Sequence, residues 1–186
     1  MNTSDNERRQ RESRRLFSVI RHCPIPVIAA VNAPALGAGL VLAEVCDIRI
    51  AGPRATFGLP EINVGKSGGG RYTSRLVSQG VVRLMYFTGR ALDVNEAREA
   101  GIVDRIVPGD DDSLHLAALE LAQEISSKSP TAIRYAKESL NLVEELPIEK
   151  GYIVEQQYTM RLASTADGQE AAMAFLEKRE PRWNRA

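Results

Sequence analysis

Residues Val27–Ile48 read VIAAVNAPALGAGLVLAEVCDI. Val27-Ile28-Ala29-Ala30-Val31 is a continuous apolar run, the pattern of a strand buried on both faces. Asn32-Ala33-Pro34 turns the chain. Ala38–Val45 then reads as a short, mostly apolar helix, and Cys46–Ala51 as the next strand. The twenty residues from Pro24 to Ala43 carry no charge, which is the length of a membrane span. Pro24, Pro26, Pro34, Asn32, Gly37 and Gly39 cut that length into strand, turn and helix start, so no span is expected. The first turn of the helix holds Gly37-Ala38-Gly39. Backbone N–H groups there lack intrahelical partners and carry the positive end of the helix dipole. Small side chains let a ligand oxygen, such as that of a thioester enolate or a phosphate, come close. The same small residues also suit close helix–strand packing.

Outward from this stretch, strands alternate with helices. Upstream, Asn6–His22 reads as a helix with Leu16, Val19 and Ile20 on one face. Downstream, Thr56-Phe57 suits a short strand and Gly65–Gly70 a flexible loop. Thr73–Leu84 reads as a helix interrupted near Gly80, and Asn95–Ala100 as a helix stopped by Gly101. Ile102–Val107 is expected as a strand closed by Pro108. Asp110-Asp111-Asp112 caps a helix, Leu114–Ser127, whose Leu114, Ala118, Leu121 and Ile125 recur at helical spacing. Three further helices follow: Thr131–Val143, Glu149–Ser164 and Gly168–Lys178. The pattern is an α/β core at residues 1–128 followed by a helical region at 129–186.

Composition narrows the function. The 186 residues carry 24 Lys and Arg against 24 Asp and Glu. Zero net charge argues against nucleic-acid binding and against an electrostatic membrane anchor. Cys23 and Cys46 are too few for a disulfide scaffold or a four-cysteine zinc site and are expected as small core residues. His22 and His115, the only histidines, have no partner motif. The polar N-terminus shows no apolar run of a secretory signal, so a cytoplasmic location is expected. Ser67 lacks a nucleophile-elbow context, and Gly68-Gly69-Gly70 lacks the phosphate-loop spacing. Trp183 is expected to anchor the tail or a subunit contact.

A second segment, Phe57–Gly65 (FGLPEINVG), sets Glu61 among apolar neighbours. A carboxyl in an apolar pocket has its pKa raised, which suits a general acid or base. A helix-capping or surface role fits the same residues.

At these two segments the chain resembles the crotonase family, the enoyl-CoA hydratases and isomerases. The resemblance runs from about Arg14 to the C-terminus. It rests on the V-I-A-A-V-N run leading to the C-D-I-x-I-A strand and on the F-x-x-P-E-x-x-x-G motif at Phe57–Gly65. The Gly-rich loop, M-x-x-T-G-R at Met85–Arg90 and A-F-x-E-K-R at Ala174–Arg179 follow in order. The resemblance implies a crotonase-like ββα-spiral core with a C-terminal helical trimerisation region. It implies an acyl-CoA substrate, with coenzyme A as part of that substrate and no metal or redox cofactor. The Ala38 N–H would donate to the thioester oxygen and Glu61 would act as general acid and base. Gly37, Gly39, Pro60 and Gly69 would line the substrate site. Phe175 and Lys178 would contact the coenzyme A nucleotide across a subunit boundary of a homotrimer or a dimer of trimers.

Departures from the family pattern shape the expected chemistry. Val41 stands where hydratases carry their first catalytic Glu, and valine cannot transfer a proton. Glu44 lies one turn further along the helix. A single carboxylate suits double-bond isomerisation, while family frequency favours hydration. Lys66 and Arg71 enter the Gly-rich loop, either to face an anionic acyl group or as solvated loop charges. The A-G-x-D-type motif that supplies the family's first oxyanion donor does not occur, so a core lacking its N-terminal part is expected. The alternative is a truncated, non-catalytic homologue acting as a binding or oligomer subunit.

Overall fold

The structure, a computed structural model, describes residues 3–183. In chain order the elements are α1 (Thr3–Arg21), β1 (Ile28–Val31), β2 (Ala35–Leu36), α2 (Ala38–Glu44), β3 (Ile48–Ala51) and β4 (Thr56–Gly58). A 3₁₀ turn (Pro60–Val64), α3 (Gly70–Thr73), α4 (Gln79–Thr88), β5 (Ala91–Asp93), α5 (Val94–Ala100) and β6 (Arg105–Ile106) follow. The chain ends in α6 (Asp111–Ser126), α7 (Pro130–Val143), α8 (Ile148–Ala163) and α9 (Ala166–Glu177). Two compact units result. One holds the chain up to Cys23 together with Val27–Glu120, and the other holds Pro24–Pro26 with the chain from Leu121 onward.

In the first unit β1, α2 and β3 form a parallel crossover, with Ile28 opposite Ile48 and Val31 opposite Ala51. β6 pairs with the other edge of β3, so β3 is central. A second sheet has β4 between parallel β2 and antiparallel β5. Leu40, Phe57, Leu59, Met85, Ile102 and Val103 are fully buried and form much of the core. Each such side chain contributes about 1.5–3 kcal/mol on leaving water.

Several expectations are corrected. β1 is only half-buried, with Ala30 exposed, because β3 is its one strand neighbour among the described residues. Arg49, Ile50 and Ala51 make β3 the buried strand. The turn after Asn32 continues into β2, which pairs with Phe57 and Gly58. Gly80 does not interrupt a helix. The chain breaks earlier, and Ser78 starts α4 by accepting from the Val81 N–H. Residues 102–107 give only a two-residue strand, because Ile102 and Val103 serve as core plugs. On α1 the buried residue is Phe17, against Val41 and Val45 with Ile20 and Tyr72, while Leu16 and Val19 are exposed. Cys23 and Cys46 are half-buried rather than core residues.

Buried polar groups fix the register of this unit. The Arg49 side chain donates to Ile102 O (2.7 Å), Cys46 O (2.9 Å) and Asp104 Oδ2 (2.8 Å). The Val27 N–H donates to Asp47 Oδ2 (2.7 Å), pinning the start of β1.

In the second unit Ser129 caps α7 and donates to buried Asp167 at the start of α9 (2.5 Å). The Arg161 guanidinium lies over the rings of Tyr135 (4.9 Å) and Tyr158 (5.2 Å). Trp183 Nε1 donates to Ser127 O (2.8 Å), so the indole anchors the tail.

Candidate active site

β2 delivers the chain to Gly37, whose N–H donates to Gly58 O (2.8 Å) and whose φ is 54°. α2 starts there without a side-chain cap. Its helical ladder begins with Val41 N–H to Gly37 O (3.1 Å), so the Ala38, Gly39 and Leu40 amides precede the first intrahelical donor.

β4 delivers the chain to the 3₁₀ turn, with Pro60 in its first position and Glu61 in its first turn. Gly65 closes that turn in the left-handed region (φ 68°). There the Gly65 N–H reaches Ile62 O (3.1 Å) and the Lys66 N–H reaches Glu61 O (2.9 Å). The two segments meet at the Glu61 carboxylate. A Cβ added to Gly37 would collide with Glu61 Oε1 and lie 3.1 Å from its Cδ. Glu61 Oε2 is buried and has no hydrogen-bond partner among the described residues.

Around this meeting point is an open pocket of about 400 Å³. Gly37, Ala38, Val41, Glu61 and Gly69 line it, so the structure gathers four of the predicted site residues with the valine that replaces a glutamate. Gly69 (φ 88°) seats the loop on that valine. A Cβ there would lie 2.8 Å from Leu59 Cδ2 and 3.1 Å from Val41 Cγ2. Gly39 and Pro60 are not among the lining residues. Phe175 and Lys178 belong to the second unit. Phe175 is 83% exposed, and Lys178 ends α9 with a φ of 53°. The neighbouring Arg179 of the same motif is a structural staple, with its Nη1 and Nη2 donating to Glu170 (2.5 and 3.0 Å). That guanidinium, helped by the Arg182 N–H, holds the Glu170 carboxyl down at about 2.

Sequence reasoning missed the contribution of α1. Asn6, Arg9, Gln10, Ser13 and Phe17 form one helical stripe along the pocket. Their three-, four- and seven-residue spacing was readable, but polar residues all round α1 hid which stripe faces inward. Of the two loop cations, Lys66 lines this pocket and Arg71 lines a separate groove with Arg83 and Phe87.

Glu44 is not in the pocket lining but fully buried, and neither carboxylate oxygen makes a complete hydrogen bond. Burial pushes its carboxyl up to about 7, against the opposing pull of the nearby Thr73 hydroxyl and the Arg49 and Arg75 guanidinium groups. Among the described residues no group of His, Cys, Asp or Glu is placed to hold a metal ion. None of the described helices is long and apolar enough to cross a membrane.

The chain matches the family model for enoyl-CoA hydratase/isomerase over residues 1–186. It is 40% identical over 171 residues to a probable mitochondrial enoyl-CoA hydratase 2 of Arabidopsis thaliana, covering 90% of this chain and 56% of that protein. It is 41% identical over 160 residues to the 2,3-dehydroadipyl-CoA hydratase of Escherichia coli, covering 84% of this chain and 62% of that protein. The chain thus spans under two thirds of the length of both relatives. The crystal structure of an enoyl-CoA hydratase from Bacillus anthracis superposes with a TM-score of 0.92 at 34% identity, over 98% of this chain and 71% of that one. An enoyl-CoA hydratase from Mycobacterium smegmatis gives 0.92 at 28%, with the same coverage. The fold is therefore crotonase-like, and the chain belongs to the enoyl-CoA hydratase/isomerase family.

Proposed function

We propose that the chain acts on acyl-CoA thioesters through an enolate, with Ala38 as oxyanion donor and Glu61 as the proton carrier. The observation that carries this is the Glu61 carboxylate set against Gly37, with Oε2 buried and unpartnered, in the pocket that Ala38 also lines. Glu61 takes the proton from C2 of a 3-enoyl thioester, and the C–H electron pair moves into the conjugated system ending at the thioester oxygen. The Ala38 N–H holds the negative charge there. Glu61 then returns the proton at C4, giving the 2-enoyl thioester with no net change in atoms. Chain groups supply both the proton transfer and the oxyanion contact, and coenzyme A enters as part of the substrate.

Isomerisation is favoured because Glu61 is the only acidic residue in the pocket lining among the described residues, with Val41 opposite the loop at Gly69. Hydration is the second reading, favoured by the names of the relatives. Incubating a 2-enoyl-CoA and a 3-enoyl-CoA separately distinguishes them. Isomerisation interconverts the two without a hydroxyacyl product, whereas hydration yields one. Loss of all turnover with retained self-association would support a non-catalytic subunit instead. Phe175 and Lys178 are proposed to contact the coenzyme A nucleotide from a homotrimer neighbour. The exposure of Phe175 and its neighbour Leu176 supports an outward-facing role.

A further inference from the structure

We propose that Glu44 is a positioning residue for the acyl-CoA reaction read above, on which this inference rests. Neutral, it lets α2 and α3 close on each other and seat Gly69 on Val41. Ionised, it draws water between the two helices and loosens that wall of the pocket.

The placement of three oxygens carries the assignment. Glu44 ends α2, the helix that begins with Ala38, and Val41 of the pocket lining lies one turn before it. Thr73 ends α3, and Gly69 and Tyr72 just before it line the same pocket. The two helices pack on each other. Glu44 and Thr73 are fully buried, and Glu44 Oε1, Glu44 Oε2 and Thr73 Oγ1 have no hydrogen-bond partner among the described residues. The wall that these helices form has little slack. A Cβ on Gly69 would lie 3.1 Å from Val41 Cγ2, and the Tyr72 ring meets Phe17 edge to face at 5.6 Å beside Val41 and Val45. The spacing of α2 and α3 therefore sets the pocket wall.

A carboxylate without donors is costly to keep dry. The charged groups around Glu44 are Arg49 of β3 and Arg75 in the segment after α3. The Arg49 side chain is engaged with Ile102 O, Cys46 O and Asp104 Oδ2. Arg75 Nη1 donates to the backbone oxygen of Glu44 (3.3 Å) and not to its carboxyl. From α3 come the Thr73 hydroxyl and the Tyr72 ring, and α1 brings apolar Phe17 and Ile20 to the same contact. Burial outweighs these groups and pushes the carboxyl up to about 7. The dry, closed arrangement thus prevails below neutrality and the hydrated one above it.

Two readouts between pH 6 and 8.5 test this: turnover of 3-hexenoyl-CoA, and amide hydrogen exchange of residues 69–77 corrected for the intrinsic rate. In the parent chain KM should rise about tenfold with kcat nearly unchanged, because substrate binds only the closed fraction. Protection of residues 69–77 should fall over the same range. Glu44→Gln, neutral at every pH, should abolish both changes. Thr73→Val keeps the shape and removes the group that most favours the ionised form, so it should move the release to higher pH. A pH-independent parent, a Glu44→Gln chain as pH-sensitive as the parent, or a release unmoved by Thr73→Val overturns the proposal. So does a rise in KM without loosening of residues 69–77. Loosening that Glu44→Gln abolishes, in a parent that turns over no enoyl-CoA, overturns the proposed chemistry and upholds the role of Glu44 in seating the wall.

Discussion

A methyl group at Gly37 would occupy the space of the Glu61 carboxylate, and a φ of 54° disfavours any L side chain there. Gly37→Ala should therefore act twice. We expect a stability loss of about 1–3 kcal/mol in thermal unfolding. We also expect a fall of about 10²-fold in enoyl-CoA turnover, because displacing the proton carrier by an ångström is costly. Glu44 illustrates a carboxyl that does other work. Its folded value of about 7 lies above the ordinary 4.5, so the folded chain prefers the protonated form. The stability it contributes is fully present below pH 4.5 and is lost as pH rises through about 7. That loss amounts to about 3 kcal/mol. Chemical denaturation of Glu44→Gln at pH 5 and pH 8 should show most of this dependence gone. A variant as pH-sensitive as the parent would contradict the assignment.

At the scale of elements, Arg49 ties β3 to the segment that leads into β6 through Ile102 O and Asp104. Arg49→Met removes those donors and leaves buried carbonyls unpaired, so we expect a loss of about 2–4 kcal/mol in denaturant unfolding. What was legible before the structure follows from the range of the forces involved. The Pro and Gly breaks after Pro24 and the capped helices were readable, because turns and caps are local. The two-residue β2 and the β5 strand were not, because three or fewer residues gain strand geometry only from partners distant in sequence. β1 was misread as buried on both faces because an apolar run reveals the tendency to leave water and not the number of strands beside it. For the site, Glu61, Ala38, Gly37 and Gly69 were named from motifs, while the α1 stripe from Asn6 to Phe17 was not. Its helical spacing does not stand out on a helix that is polar on nearly every side.

For the whole molecule, the helices of the second unit leave Ile148 (85%) and Leu176 (80%) exposed alongside Phe175. Apolar surface of this kind marks contact sites. Sedimentation equilibrium at micromolar concentration should therefore give a mass of about three times 20.4 kDa, and Ile148→Glu with Leu176→Glu should lower it. A parent chain that sediments at 20.4 kDa would contradict the homotrimer reading. The central claim is that Glu61 moves a proton at the carbon beside a thioester polarised by the Ala38 amide. Deuterium uptake at C2 of a saturated acyl-CoA in heavy water tests it most directly. The wild-type chain should introduce deuterium at C2, and Glu61→Gln should fall to the uncatalysed background. Equal uptake by the two chains, or none by a wild-type chain that binds the thioester, would contradict it.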